Sequence, residues 1–221
     1  MENFSVFDII GPRMTGPSSS HTAGAARIGF IARRIIGADI ESVKFTLYGS
    51  FAETGRGHGT DKALIGGLLG FSPDDLRIRS AYKLARDEGV SVEFEYSDDH
   101  TEHPNTVKIE AVDVTGRETE MIGLSIGGGN ILITEINGLE VEVRGDYPTI
   151  IIQHRDMPGV ISDVSRVLAQ LNVNIAYMKV FRHGRGDTDA YMIIESDEPV
   201  TADMQAIIRR LCPAVNELMV I

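Results

Sequence analysis

Gly16-Pro17-Ser18-Ser19-Ser20-His21-Thr22 stands immediately ahead of a run with the apolar spacing of a helix. A helix start needs one Ser or Thr, whose side-chain oxygen accepts a hydrogen bond from an orphan N–H of the first turn. This stretch supplies four hydroxyls and an imidazole. With the helix expected to begin near Thr22, its free N–H groups and positive dipole end would seat a carboxylate or other anion. The same field disfavours imidazolium, so His21 is expected to stay neutral and able to accept a proton. A Ser-rich surface loop would fit this string alone, and it is a second motif, at His58, that shifts the balance.

Outward from the first knot, Ile28, Ile31, Ala32, Ile35 and Ile36 recur between Arg27, Arg33 and Arg34, and Gly37 closes the pattern, which predicts an amphipathic helix from Thr22 to Ile36. Val43, Phe45 and Leu47 then alternate with Lys44, Thr46 and Tyr48 as in a strand with one buried face. That strand leads into Gly55-Arg56-Gly57-His58-Gly59-Thr60-Asp61, expected to form a glycine-rich loop ahead of a helix from Lys62 to Leu69. Thr60 is the expected N-cap, and Asp61 in the first turn suits the dipole. Both knots thus read as polar loop, histidine, hydroxyl and helix start. Two of them in one domain suggest a shared pocket.

Ser5 to Ile10 is a short apolar segment, strand or helical turn, broken by Gly11-Pro12. Ala81 to Glu88 is a predicted helix, and strands are predicted around Val90 to Phe94, Val107 to Ala111 and from Met121 onward. Ile131 to Ile136 and Leu139 to Val143 flank Asn137-Gly138, a strong hairpin signal. Ser125-Ile126-Gly127-Gly128-Gly129 reads as a loop on which backbone N–H groups could converge. Arg144-Gly145-Asp146-Tyr147-Pro148 is the expected linker, between domains at 1–145 and 148–221. After it come a strand (149–153), a helix (158–171), a strand (173–181), a turn at Arg182-His183-Gly184-Arg185-Gly186-Asp187, a strand (190–195), a helix (201–211) and a strand (215–220). This βαββαβ order is ferredoxin-like.

The 221 residues fit one large domain or two small ones, and 43% hydrophobic with 24% charged residues is the balance of an ordinary globular protein. A net charge of -11 leaves no basic stripe for a phosphate backbone, so no nucleic-acid partner is expected. No window has the roughly 18 uninterrupted apolar residues of a spanning helix, and Met1-Glu2-Asn3-Phe4 does not open a signal peptide, so a cytoplasmic chain without a membrane partner is expected. A single cysteine, Cys212, excludes an internal disulfide and a self-contained iron–sulfur or structural zinc site. His100 and His103 stand in an acidic polar stretch that reads as an exposed loop, and no metal ligands are assigned to this chain.

Residues from about Tyr147 to Ile221 resemble an ACT domain, a regulatory module that commonly binds amino acids between two copies. The resemblance rests on His154-Arg155-Asp156-Met157-Pro158-Gly159-Val160 and on Asn172-Val173-Asn174-Ile175. It implies an effector site at His154, Asp156 and Asn174, where Asp156 replaces an Asn seen in serine-responsive members, and a homodimer through this domain. A purely structural or dimerising module carries equal weight.

The first part, Val6 to about Val143, resembles the β chain of bacterial iron–sulfur L-serine dehydratases. Gly16-Pro17-Ser18-Ser19-Ser20-His21-Thr22 followed by Gly24, Tyr48-Gly49-Ser50 leading to Gly57-His58-Gly59-Thr60-Asp61-Lys62, His103-Pro104-Asn105-Thr106 and Ser125-Ile126-Gly127-Gly128-Gly129 carry the match. The domain is also similar to the allosteric substrate-binding domain of some phosphoglycerate dehydrogenases. The fold expected is α+β: an allosteric-substrate-binding-like α/β domain followed by a ferredoxin-like ACT domain.

That family dehydrates L-serine to pyruvate and ammonia with a 4Fe-4S cluster held by a cysteine-rich α chain. The resemblance implies that one iron acts there as a Lewis acid on the serine hydroxyl. This chain, with one thiol, is then expected to contribute acid–base and binding groups across the interface. His21 and His58 are the candidate catalytic residues, with His58 slightly preferred as base. Ser18, Ser19, Ser20, Thr22, Thr60 and Asp61 are the candidate substrate-binding residues, although capping is the simpler role for Asp61. The rival is a non-catalytic amino-acid sensor. A serine hydrolase is set aside, because adjacent Ser20 and His21 rarely face one another and Ser20, between Ser18 and Thr22, does not stand in a G-x-S-x-G elbow.

Overall fold

The structure, a computed structural model, describes residues 13–182, 184 and 187–221. The apolar segment Ser5 to Ile10, the break at Gly11-Pro12, and His183, Arg185 and Gly186 of the expected turn lie outside them. The chain divides into two compact units between Arg144 and Gly145.

In the first unit a π-helical turn, Ser19–Gly24, runs directly into α1 (Ala25–Ile36), followed by β1 (Ile40–Gly49), α2 (Ser50–His58), α3 (Thr60–Leu68), a 3-10 turn (Leu76–Ser80) and α4 (Ala81–Asp87). Then come β2 (Ser91–Tyr96), β3 (Asn105–Asp113), β4 (Glu118–Gly127), β5 (Asn130–Ile136) and β6 (Leu139–Val143). The six strands form one sheet in the order β2-β1-β3-β4-β5-β6. Among the described residues only β1 and β2 pair in parallel, because a crossover through α2, α3 and α4 joins them. Val43, Phe45, Leu47, Val107, Ile109, Ala111 and Met121 are buried on one face. Lys44, Lys108, Glu110 and Glu120 alternate with them and pair with carboxylates or amines on the other.

Helix α1 lies on this sheet, where a Cβ added at Gly123 would come within 2.8 Å of Ile28. α1 also packs backbone to backbone on α3: a Cβ at Gly29 would stand 2.2 Å from the Leu64 carbonyl oxygen, and one at Gly67 1.9 Å from that of Ala26. Side chains at these two positions would force the helices apart.

Four local expectations are corrected. The first helical segment begins at Ser19, ahead of Thr22, because Ser18 caps it by accepting from the His21 N–H at 3.2 Å. The stretch between β1 and α3, expected as a loop, is helix α2. Gly49, at φ 51°, turns the chain straight from strand into helix at a point where a Cβ would meet the Pro104 carbonyl oxygen at 2.7 Å. Fully buried Phe51 gives α2 a core face. That burial overrides the weak helix propensity of its glycines, and Gly59, at φ 72°, ends the helix. Gly59 therefore occupies the N-cap of α3 in place of Thr60. The Ser125 to Gly129 stretch is the end of β4 and a tight turn into β5 through Gly128 and Gly129, both at positive φ.

The second unit contains β7 (Thr149–Arg155), α5 (Val160–Gln170), β8 (Ile175–Phe181), β9 (Asp189–Ser196), α6 (Ala202–Leu211) and β10 (Val215–Val220). Its antiparallel sheet has the order β10-β7-β9-β8. Ile150, Ile152, Met192 and Ile194 of one sheet face pack with Val164 and Leu168 of α5 and Ile208 of α6. This is the βαββαβ arrangement. Cys212 is a buried member of that core, and burial pushes its thiol pKa up. Among the described residues no helix is long and apolar enough to cross a membrane.

Candidate active site

The two polar knots meet. The π-helical turn delivers His21 and α2 delivers His58, and their ring centroids stand 5.1 Å apart at a 46° tilt. The edge of Phe51 closes one side of His21, 5.2 Å between centroids. Both imidazoles are half-buried.

Their hydrogen bonds fix which nitrogens carry protons. His58 Nδ1 lies 3.1 Å from the Thr54 carbonyl oxygen, which can only accept, so Nδ1 carries the hydrogen and Nε2 the lone pair. Among the described residues nothing bonds His58 Nε2. His21 Nε2 lies 3.3 Å from the Ser50 carbonyl oxygen, 3.2 Å from Ser50 Oγ and 3.0 Å from Thr54 Oγ1. The carbonyl again assigns the hydrogen to Nε2. His21 Nδ1 then faces Ser18 Oγ at 3.4 Å.

Burial lowers the pKa of His21 below its ordinary value. The hydrogen bond to the Ser50 carbonyl opposes this, and the neighbouring His58 adds to it. The expected neutral His21 therefore follows mainly from desolvation.

The six hydroxyl and carboxyl candidates divide. Ser18 caps the π-helical turn, while the side chains of Ser19 and Ser20 have no partner among the described residues and are half-buried. Thr22, 1% exposed, donates its hydroxyl to the His58 carbonyl at 3.3 Å and so ties the knots together instead of facing a ligand. Thr60 is fully buried beside Gly55 with its hydroxyl unpartnered. Asp61 accepts from the Lys62 N–H at 2.8 Å and from the Tyr82 hydroxyl at 2.9 Å, so its carboxylate serves the start of α3 and touches neither histidine. A Cβ at Gly24 would meet Ser125 Oγ at 2.1 Å, and that hydroxyl donates to the Ser20 carbonyl at 2.9 Å, locking the turn that carries His21 onto β4.

Sequence reasoning missed Ser50, Phe51, Thr54 and Asn105 as neighbours of the site. Ser50, Thr54 and His58 recur at a spacing of four, one helix face, but the signal was hidden while the glycines made the stretch a loop. Asn105 pairs with Gly49 in register and donates to the Ser125 carbonyl at 3.4 Å, and its side-chain oxygen is buried without a partner. His103 accepts from the Asn105 N–H at 3.2 Å, a local turn contact.

In the second unit the three effector candidates do not converge within one chain. His154, 2% exposed, lies 2.8 Å through Nδ1 from the Arg155 carbonyl oxygen, and its Nε2 is buried and unpartnered. Asp156 is engaged by the Arg182 guanidinium. Asn174 donates to Asp197 at 2.6 Å. His154 pairs with Ala190 at one end of β9, whereas Ile175, next to Asn174, pairs with Ser196 at the other. Six strand residues, about 20 Å, separate the two ends.

A family model for the serine dehydratase beta chain matches residues 5–88, and one for the ACT domain matches residues 148–213. A probable L-serine dehydratase beta chain of Bacillus subtilis is 50% identical over 200 residues, 90% of each chain. The L-serine dehydratase beta chain of Peptoniphilus asaccharolyticus is 42% identical over 209 residues, 94% of each chain. A D-3-phosphoglycerate dehydrogenase of Synechocystis is 29% identical over 181 residues, 80% of this chain and 32% of that one. Together with the histidine pair and the βαββαβ unit, these matches mean that the chain belongs to the family of L-serine dehydratase beta chains and carries an ACT domain in its C-terminal part.

Proposed function

We propose that this chain is the acid–base half of a two-chain, iron–sulfur-dependent L-serine dehydratase that converts L-serine to pyruvate and ammonia. The observation that carries this reading is the pair of imidazoles 5.1 Å apart in which His58 Nε2 bears a lone pair and no described partner. His58 is the base that takes the proton from Cα of serine. His21 lies against it, kept neutral by burial, and positions substrate with Ser18, Ser19 and Ser20. Loss of the β-hydroxyl as water gives aminoacrylate, which tautomerises to the imine and is hydrolysed to pyruvate and ammonia.

The cluster implied by the family finds no ligands here. Cys212 is the only thiol and is buried in the second unit, and among the described residues no three His, Cys, Asp or Glu side chains are grouped to hold a metal. The cluster is assigned to the cysteine-rich α chain, together with the groups that assist departure of the hydroxyl. In the ACT domain, His154, Asp156 and Asn174 would form an effector site only when a second copy brings its own opposite end of the sheet alongside.

The test is anaerobic co-production with the α chain followed by a pyruvate assay. The pair should convert L-serine to pyruvate and lose activity in air, while the β chain alone gives none. Turnover by the isolated chain would contradict the division of labour. Binding of serine with no turnover by the assembled pair would favour the sensor instead.

A further inference from the structure

Among the described residues, every glycine but one either takes a positive φ or has an atom of the chain within 3.3 Å of where its Cβ would stand. The exception is Gly57, directly before His58 in α2. Its backbone is helical, and nothing in the described residues lies within 4 Å of an added Cβ. A helical glycine gives up more backbone freedom on folding than alanine, so the chain by itself would gain from an alanine there. What the glycine does provide is room for a second body to reach the helix backbone, which a Cβ would hold off by about 1.5 Å, one carbon–carbon bond.

Gly57 shares a helix face with the histidine site: it follows Glu53 by four residues and Thr54 by three, and His58 follows Thr54 by four. Glu53, Thr54 and Gly57 are exposed, and His58 Nε2 has no described partner. Glu53 also lines a groove of about 330 Å³, whose other wall carries Asp98, Asp99 and His100 from the stretch after β2. Glu53, Asp98 and Asp99 take part in no ion pair among the described residues, and no Lys or Arg lines the groove. An amino acid is too small to cover the rings, the helix face and the groove together.

We propose that the exposed face of α2 and the acidic groove beside it form one docking surface for the α chain. That chain packs against the bare backbone at Gly57 and lays Lys or Arg side chains along Glu53, Asp98 and Asp99. The occupant rests on the two-chain reading, since a partner seated here also covers His58 and shields it from water. Its charge follows from the groove, because three unpaired carboxylates repel a like-charged partner and steer a basic one.

The test is anaerobic association of the full-length chain with the α chain. Gly57→Ala should leave the melting temperature of the free chain unchanged or raise it by about 1–3 °C. It should nevertheless weaken association about tenfold or more, as overpacking of a close contact does. Wild-type association should weaken as salt rises from about 50 mM to about 500 mM, and Glu53→Lys should weaken it at low salt and flatten that dependence. The proposal is overturned if Gly57→Ala binds the α chain as tightly as the wild type, or if it lowers the melting temperature of the free chain by several degrees. Association indifferent to salt and to Glu53→Lys overturns it as well. Unchanged association with a raised KM for L-serine would give the room at Gly57 to substrate and overturn the docking surface. If the wild-type chains associate but make no pyruvate, the lyase reading falls, and the affinities still decide the surface.

Discussion

His58 and His154 both stand at junctions with helices in motifs rich in polar side chains, yet the two units use them differently. In the first unit the knots sit on the π-helical turn and α2, which Thr22 ties together, so their side chains converge and leave one imidazole nitrogen unclaimed at a half-buried surface. In the second, His154 is sunk into the helix-facing side of the sheet, Asp156 is engaged by Arg182, and Asn174 lies at the far end. A site needs its elements to meet as well as its residues to be polar. The first unit meets that condition within one chain, and the second does not.

The sharpest way to break the comparison is His58→Ala. Removal of a general base costs about 10²- to 10⁴-fold, and kcat of the reconstituted enzyme should fall on that scale with the melting temperature nearly unchanged. An unaltered kcat would remove His58 from the mechanism and leave the two histidines of the two units alike. Gly67→Ala tests the scaffold. Its Cβ would stand 1.9 Å from the Ala26 carbonyl oxygen, a backbone atom that cannot swing aside, so overpacking should cost about 1–3 kcal/mol. Here melting temperature and activity should fall together, as they should not for His58→Ala. A melting temperature equal to that of the wild type would show that the α1 and α3 backbones are not held in contact.

The pH response sharpens the contrast further. The folded pKa of His21 lies below the ordinary 6.5, chiefly because burial penalises imidazolium. Below about pH 6.5 the unfolded chain takes up a proton that the native chain refuses, so stability from this group is complete above that pH and is lost as pH falls towards the folded value. Above it, both states are neutral and the group adds no slope. His21→Gln should therefore lose less in melting temperature than the wild type between about pH 7.5 and about pH 5.5, the carboxylate contributions being common to both. Equal losses would show that His21 titrates as an exposed imidazole.

Much of this was legible because period and punctuation agreed. The apolar stripe of α1 closed by Gly37, the alternation of β1, the Asn137-Gly138 hairpin and the βαββαβ order are all local patterns, and the structure contains each. Helix α2 was not legible. Its glycines argue for a loop, and the burial of Phe51 that outweighs them is a tertiary fact. The same blind spot concealed Thr54 and Ser50 and misassigned Thr60 as a cap. The histidine pair was legible as two similar motifs, but their 5.1 Å approach depends on Gly24 and Gly49, whose reason is the close approach of Ser125 on β4 and of Pro104 just ahead of β3, both far away in the sequence.

The smallest effect expected is that of Asp156→Asn, and its smallness is the point. The Asp156 to Arg182 pair is partly open to solvent, with 27% of the Asp side chain and 62% of the Arg exposed. Such pairs contribute about 0–1 kcal/mol because water screens them and two side chains must be held in place. The substitution should shift the melting temperature by a degree or two at most and leave kcat at saturating serine unchanged. It would also free Arg182 and put a neutral amide where the carboxylate stands. If a second copy completes an effector site there, serine should then protect the full-length chain against heat more strongly in Asp156→Asn than in the wild type. Equal protection in the two would mean that Asp156 lies outside any ligand site, and a loss of kcat would mean that the second unit bears on catalysis directly.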